Sequence, residues 1–185
     1  MLCLAYFGGA GLVSLGVIEG LHRGAVAGSI AVGAGLLAWS LTGARPPRSD
    51  LRMPGLTLLI VALATESIAQ LVPRGGATVI AVAAWAIGGL GMGLSYPRLC
   101  AAPLADLAPE QVATVATGVE FAELAGTAMG ALAGGGVYSL ADGLGVSAPA
   151  AIATGFALLA GLAVLTVVLA RRARHSLSSA VPVGP

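Results

Sequence analysis

The sequence contains no lysine and few charged residues of any kind. Only 9% of its 185 residues are charged, whereas a soluble domain carries roughly 25%. Nine arginines and eight acidic residues could not cover the surface of a water-soluble globule of this size. Aromatic residues are scarce, at 4%, while 57% of the chain is hydrophobic. This composition argues against a soluble protein and predicts that the chain lies in a lipid bilayer.

Residues that carry enzyme chemistry are also scarce. His22 and His175 lie near the ends of segments and lack metal-ligand spacing. Cys3 and Cys100 are not expected to form a disulfide. The sequence has no phosphate-binding loop of the G-x-x-x-x-G-K type, and neither histidine lies deep enough to activate an intramembrane serine. We therefore predict no enzyme activity, no cofactor and no metal site, and the net charge of +1 gives no reason to expect nucleic acid.

Six apolar stretches are present, each close to the roughly 20 residues that a helix needs to cross a bilayer. Short polar segments separate them, so the predicted fold is an all-α, polytopic membrane protein. Residues 1–174 are predicted to form one six-span membrane domain, followed by a disordered cytoplasmic tail at 175–185. The predicted spans cover residues 2–18, 25–43, 54–72, 77–96, 112–140 and 148–170.

The arginines predict the orientation. With six spans, seven arginines fall on one side of the membrane and two, Arg23 and Arg74, fall on the other. Because cytoplasmic loops are enriched in basic residues, both termini are expected in the cytoplasm of a plasma-membrane protein. The seven are Arg45, Arg48, Arg52, Arg98, Arg171, Arg172 and Arg174; of these, Arg45, Arg48, Arg52, Arg171 and Arg172 are the expected anchors.

The stretch "AIGGLGMGLSYP", residues 86–97, continues an apolar run although it is rich in glycine. In lipid a helix keeps its backbone hydrogen bonds, so these glycines indicate close helix packing rather than a loop. Pro97 is expected to end or kink the span. The same reasoning predicts a ridge of small residues on span five that packs against a neighbouring helix. Two interpretations of the glycines stay open: they only allow close packing, or they also let helices slide against one another during transport. The packing positions are Gly89 and Gly93 on span four, and Gly118, Gly126, Gly130 and Gly134 on span five.

Three segments resemble the major facilitator superfamily of transporters. "GGLGMGLSYPRL" and "ADLAPEQVATVATGVEFAELAGTAMGALAGGGVY" are similar to its spans ten and eleven, and "RGAVAGSIAVGAGLLAWSLTG" to its span eight. The resemblance covers about Leu4 to Arg172 and only the carboxy-terminal half of a twelve-span member. "GARPPRSDLR" keeps the glycine and basic residues of a family loop motif but lacks its Asp-Arg pair in register. We therefore expect its arginines to anchor the span ends at the cytoplasmic surface rather than to gate transport together with Asp50.

The resemblance implies half of a secondary transporter, encoded by a split gene or a fragment. It implies efflux of a small organic solute by proton antiport, with alternating access between two halves. The missing wall of the central site would come from a second six-span half or from self-association. The alternative is a six-span interaction or scaffold protein that transports nothing.

Acidic residues inside a membrane are costly and therefore mark functional sites. Glu120 and Glu123 lie one turn apart on span five, where they could face a central cavity or simply be solvated near the cytoplasmic mouth. Glu66, on span three, is expected at the outer boundary, with a role in the pathway as the alternative. Trp85 lies deep in span four and could line the cavity. Tyr96 and Trp39 fit interface anchors.

The arginine distribution makes a topology prediction. Reporter fusions after Arg52 and after Arg174 should report the cytoplasm, and a fusion after Arg74 should report the outside, because basic residues are retained on the cytoplasmic side. Paired alkaline phosphatase and fluorescent-protein fusions measure both sides. A cytoplasmic signal after Arg74 would overturn the six-span topology.

Overall fold

The protein is a bundle of six helices in a computed structural model that describes residues 1–44, 51–72, 74–105 and 107–180. No strand occurs within these ranges, and all six helices are long and apolar enough to span a membrane. A π-helical segment extends the first helix, and a short 3₁₀ turn, Ala102–Leu104, follows the fourth. The helices are α1 (Leu2–Leu15, continued by the π-helical segment Gly16–Gly20), α2 (Ala25–Gly43), α3 (Arg52–Ala69), α4 (Arg74–Ala101), α5 (Pro109–Gly143) and α6 (Ala148–Ala180).

Several helices extend further than the sequence predicts, α4 and α6 the most. α4 does not end at Pro97 but continues to Ala101. Pro97 removes only the hydrogen bond to the carbonyl of Gly93, and the next turn is still helical. α6 continues to Ala180, so residues 175–180 are helical rather than a disordered tail. Extending an existing helix needs no new nucleus, so this segment continues α6 although it contains three serines. The rest of the predicted tail, residues 181–185, lies outside the described residues.

Helices that follow one another in the chain alternate in direction, whereas α1 and α5 run parallel, as do α2 and α4. α3 runs antiparallel to α6, because Ser67 near the end of α3 donates a hydrogen bond to the carbonyl of Ala153 near the start of α6. α3 is also antiparallel to α4, because the Ser95 hydroxyl donates to the carbonyl of Arg52. α3 packs on α4 and on α6, and α6 also packs on α1. α2 packs mainly on α4, and α5 packs mainly on α1.

Glycine pairs form close helix crossings; one is Gly55–Gly91 between α3 and α4, and two others join α5 to α1 and α2 to α4. Gly8 of α1 lies against Gly130 of α5, where a Cβ atom on Gly8 would come within 2.7 Å of the Gly130 carbonyl oxygen. Gly35 of α2 meets Gly89 of α4 in the same way, since a Cβ on Gly89 would collide with the Gly35 backbone. Both crossings therefore join backbone to backbone, which only glycine permits.

The predicted ridge on α5 packs over part of its length. Gly126, Gly130 and Gly134 are buried against α1. Gly118, on the same helical face, is exposed, and a Cβ there would meet nothing within 4 Å. α5 is about 52 Å long at 1.5 Å per residue, so its first turns extend beyond α1. On α4, Gly89 and Gly93 both contact α2, as the spacing predicts.

One end of the bundle carries most of the described arginines, and we call it the arginine end. Arg52 and Arg98 line a shared cleft there. Val167 of α6 lies near Arg52 at the start of α3, so the exposed Arg171, one turn further along α6, is at the same end. Arg23 lies at the opposite end, the far end, where its Nε donates to the Thr78 hydroxyl. Among the other predicted anchors, Arg45 and Arg48 lie outside the described residues, as does the side chain of Arg172.

The α1–α5 crossing makes a stability prediction. Gly130→Ala should lower the free energy of unfolding by about 1–3 kcal/mol, because the added methyl must push the α1 backbone away. Gly135→Ala is the matched control, since nothing lies within 4 Å of a Cβ at that position. It should be neutral or stabilising by up to about 1 kcal/mol, the helix-propensity gain of Ala over Gly. Unfolding in mixed detergent micelles measures both, and equal effects would contradict the crossing.

Candidate functional site

Four aromatic side chains from three helices form a continuous cluster around Trp85. Tyr6 stacks on Trp85 with ring centroids 5.0 Å apart, and its edge contacts Trp39 at 5.3 Å. Phe7 meets Trp39 at 6.0 Å, and Trp39 meets Tyr96 at 5.4 Å. Edge and offset contacts of this kind stabilise aromatic pairs beyond the area they bury. The cluster leads from the core of the bundle to its surface.

The surface end of the cluster carries the acid that the sequence singles out most strongly. The Tyr96 hydroxyl donates a hydrogen bond to Glu123 Oε2, which joins α4 to α5. Phe7, Trp39, Tyr96 and Glu123 are all half-buried, and we call this surface the Tyr96 face. The sequence predicts Tyr96 only as an interface anchor. Its pairing with Glu123 depends on a helix contact that local spacing does not reveal.

A cleft of about 260 Å³ opens beside this hydrogen bond. Glu123 and Tyr96 supply its polar oxygens, and two free thiols, Cys3 and Cys100, also line it. Leu2 and Leu99 are among the apolar lining residues. The cleft thus combines one hydrogen-bonded carboxylate with an apolar wall, an arrangement that suits a small organic molecule with a polar or cationic group.

The two acids of α5 lie near the arginine end rather than midway along the bundle. Ser95, next to Tyr96, contacts the first residue of α3, Arg52. The Tyr96–Glu123 hydrogen bond is therefore level with an arginine at a helix terminus. Glu120 lies one turn closer to the start of α5 and is exposed. Of the two, only Glu123 has a hydrogen-bond partner among the residues that the structure describes.

Trp85 lies in the packed core, not on a cavity wall. Its side chain is fully buried, and its ring fits against Gly9 of α1 and Gly35 of α2. A Cβ at Gly35 would approach the ring nitrogen to 2.6 Å. Trp85 therefore fills the space that these glycines leave, which gives it a structural role at the junction of three helices.

Glu66 is enclosed rather than placed at a solvated boundary. It belongs to the last turn of α3, and its exposed fraction is 0%. Neither carboxyl oxygen has a hydrogen-bond partner in the part of the chain that the structure describes. Gln70, one turn further along, is also buried, and its amide has no partner there either. The sequence indicates a polar end of this span but not that both side chains point inward.

Comparisons with protein-family models, with curated proteins and with solved structures found no match to this chain. The resemblance to the major facilitator superfamily therefore stays a prediction from the sequence, and the assignment of function depends on the helix arrangement and the Tyr96 face.

The Tyr96–Glu123 contact makes an energetic prediction. Tyr96→Phe should lower the free energy of unfolding by about 1.5–3 kcal/mol, the range for a hydrogen bond to a charged group. Combined with Glu123→Gln in a double-mutant cycle, the two changes should be non-additive, because they remove the same interaction. Tyr138→Phe, another half-buried tyrosine, is the control and should add independently. Additive effects of Tyr96→Phe and Glu123→Gln would show that the hydrogen bond contributes no stability.

Proposed function

We propose that the chain is one half of a membrane transporter of the facilitator type, which moves a small organic solute. The Tyr96 face carries this proposal, because it is the place where the bundle presents a carboxylate, aromatic rings and a cleft together. In the proposed assembly a second six-helix unit covers this face. The central solute site then lies between the two units.

The other outer surfaces of the bundle differ from the Tyr96 face, and this difference supports the proposal that a second unit covers that face. Large apolar side chains dominate the outer surfaces of α2, α5 and α6, as expected where helices face lipid; Leu37, Leu132 and Leu165 are examples. A hydrogen-bonded carboxylate is costly in such surroundings, by a few kcal/mol on insertion scales. The Tyr96 face is thus suited to a wall that another protein surface or a water-filled cavity covers.

The pairing of the helices supports the transporter fold. Half-units of facilitator transporters contain two repeats of three helices in inverted orientation. In such a repeat, α1, α2 and α3 correspond to α4, α5 and α6. The contact of α2 with α4 then corresponds to that of α5 with α1, and each of these crossings is built on a glycine pair. The packing of α3 on α4 likewise corresponds to that of α6 on α1.

In this proposal the residues near the arginine end have distinct tasks. Glu123 accepts either a proton or a cationic group of the solute, and Tyr96 orients its carboxylate. The apolar wall of the cleft, with Leu2 and Leu99, holds the solute's hydrocarbon part. The arginine end faces the cytoplasm of a plasma-membrane protein, in line with the positive-inside rule, and the driving force is proton exchange.

Thiol cross-linking tests whether a second unit covers the Tyr96 face. With Cys3 and Cys100 replaced by serine, Trp39→Cys should give a cross-linked product in native membranes with a bifunctional thiol reagent. Leu165→Cys, on the exposed surface of α6, is the control and should give none. Products of equal yield from both positions would contradict a specific interface at the Tyr96 face.

Transport is then tested on the complex of unmodified, uncross-linked chains and on the isolated chain. In liposomes with an imposed proton gradient, the complex should accumulate solutes from a panel of dyes and metabolites, and the single chain should not. Glu123→Gln should abolish accumulation, whereas Glu110→Gln, an exposed acid in the first turn of α5, should leave it unchanged. Saturable transport by a demonstrated monomer would refute the half-transporter. An uncross-linked complex that moves no solute would favour an interaction protein.

A further inference from the structure

The interior of the bundle near the far end contains an unsatisfied polar pair. Glu66 and Gln70 lie one turn apart on the inner side of α3, with exposed fractions of 0% and 5%. All four of their side-chain oxygen and nitrogen atoms lack hydrogen-bond partners among the described residues. Buried polar groups are almost always paired, so each exception needs an explanation.

Irregular backbone adjoins this pair. The π-helical segment Gly16–Gly20 faces Gln70, and a Cβ on Gly16 would come within 2.6 Å of the Gln70 amide nitrogen. A Cβ on Gly20 would collide with the amide oxygen of the same side chain. Glycines at both positions allow Gln70 to lie directly against the backbone. π-Helical turns occur often at functional sites, and this one packs against Gln70, one turn from Glu66.

The helix ends around Glu66 carry partial charges of both signs. Glu66 lies in the last turn of α3 and the π-helical segment forms the end of α1, while the first turns of α6 meet α3 here through Ser67 and Ala153. A helix carries a partial negative charge at its carboxyl end and a partial positive charge at its amino end, so these contributions partly cancel. An ionised Glu66 would add a full negative charge in an enclosed space, which is strongly unfavourable unless it is neutralised.

Among the side chains that the structure describes, the neighbouring helices supply no buried charge of opposite sign. At this end, the ionisable residues near α3 are Glu19, His22 and Arg23 on the α1 side and Arg74 on α4. Glu19, His22 and Arg23 are exposed, and Arg23 donates to Thr78. The side chain of Arg74 lies outside the described part. On α6, the apolar Ile152 lies beside Gly16 and Gly20.

We propose that Glu66 is a proton-binding site, enclosed by Gln70 and the π-helical segment. A carboxylate oxygen of Glu66 takes a proton that enters from the far end, and the group becomes neutral. The protonated carboxyl is a hydrogen-bond donor, and the unpaired Oε1 of Gln70 is an acceptor one turn away. A proton needs no additional space. A metal ion would need several oxygen ligands, and the described residues contain no cluster of three acidic, histidine or cysteine side chains.

This site does not depend on the proposed transport function, so its test uses the purified chain in detergent or nanodiscs. Infrared spectra of the carbonyl region, between about pH 6 and pH 8, where a solvated glutamate is ionised, should show a protonated carboxyl. The band should be lost in Glu66→Gln, which keeps the size and neutrality of the protonated side chain. Glu19→Gln, an exposed acid at the same end, should leave it unchanged. Selective ¹³C labelling of glutamate should shift the band in the unmodified chain, which gives an independent readout if a variant fails to fold.

Gln70→Ala tests the enclosure. Removing this side chain should make the deuterium exchange of the Glu66 carboxyl faster than in the unmodified chain, because water gains access from the far end. Identical carbonyl spectra for the unmodified chain and Glu66→Gln would overturn the proposal, as would a glutamate spectrum unaffected by ¹³C labelling. A band that disappears on addition of sodium at constant pH would also overturn it, since the occupant would then be a metal cation. Unchanged exchange in Gln70→Ala would refute the enclosure.

Discussion

The contact of one helix backbone with another, at Gly8–Gly130 and at Gly35–Gly89, underlies the rest of the structure. Between apolar helices in lipid, the hydrophobic effect offers little driving force, so helices associate through dispersion forces and close fit. Removing the side chain at each crossing brings the helix axes together. The proximity of α1 to α5 and of α2 to α4 then brings Tyr96 to Glu123 and places Trp85 between three helices. A larger residue at either crossing would alter these contacts together.

The same principle explains which sequence predictions succeed. Composition and the length of apolar runs predict six helices, because the bilayer imposes both on any chain that crosses it. The four-residue spacing of Gly89 and Gly93, and of Gly126, Gly130 and Gly134, predicts packed faces. Gly118 has the same spacing but lies beyond the part of α5 that α1 covers. Periodicity identifies a face of a helix, but it does not show where along that face the neighbouring helix ends.

The candidate site is less predictable, because its chemistry depends on contacts between distant segments. Glu123 stands out in the sequence as an acid within an apolar span. Its partner Tyr96 is 27 residues away and becomes meaningful only when α4 and α5 are brought together. For Trp85 the sequence suggests more than the structure shows. Its depth in the span predicts a residue that lines the cavity, but glycines of two neighbouring helices enclose its ring. Glu66 and Gln70 have helical spacing, yet the spacing alone does not distinguish an inward from an outward face.

The length of α5 has a mechanical consequence. From Gly130, where it crosses α1, to its start at Pro109, the helix extends about 32 Å at 1.5 Å per residue. α1 covers this helix only between Gly126 and Gly134, where the Leu12 side chain packs beside the glycine backbone, so the first turns of α5 have no support from α1. Tilting a rod of this length by about 10° moves its tip by roughly 5–6 Å, one helical turn. A change in the packing angle at Gly130 therefore displaces the start of α5 and the exposed Gly118 turn much more than Glu123, which lies two turns from the crossing and is held by Tyr96.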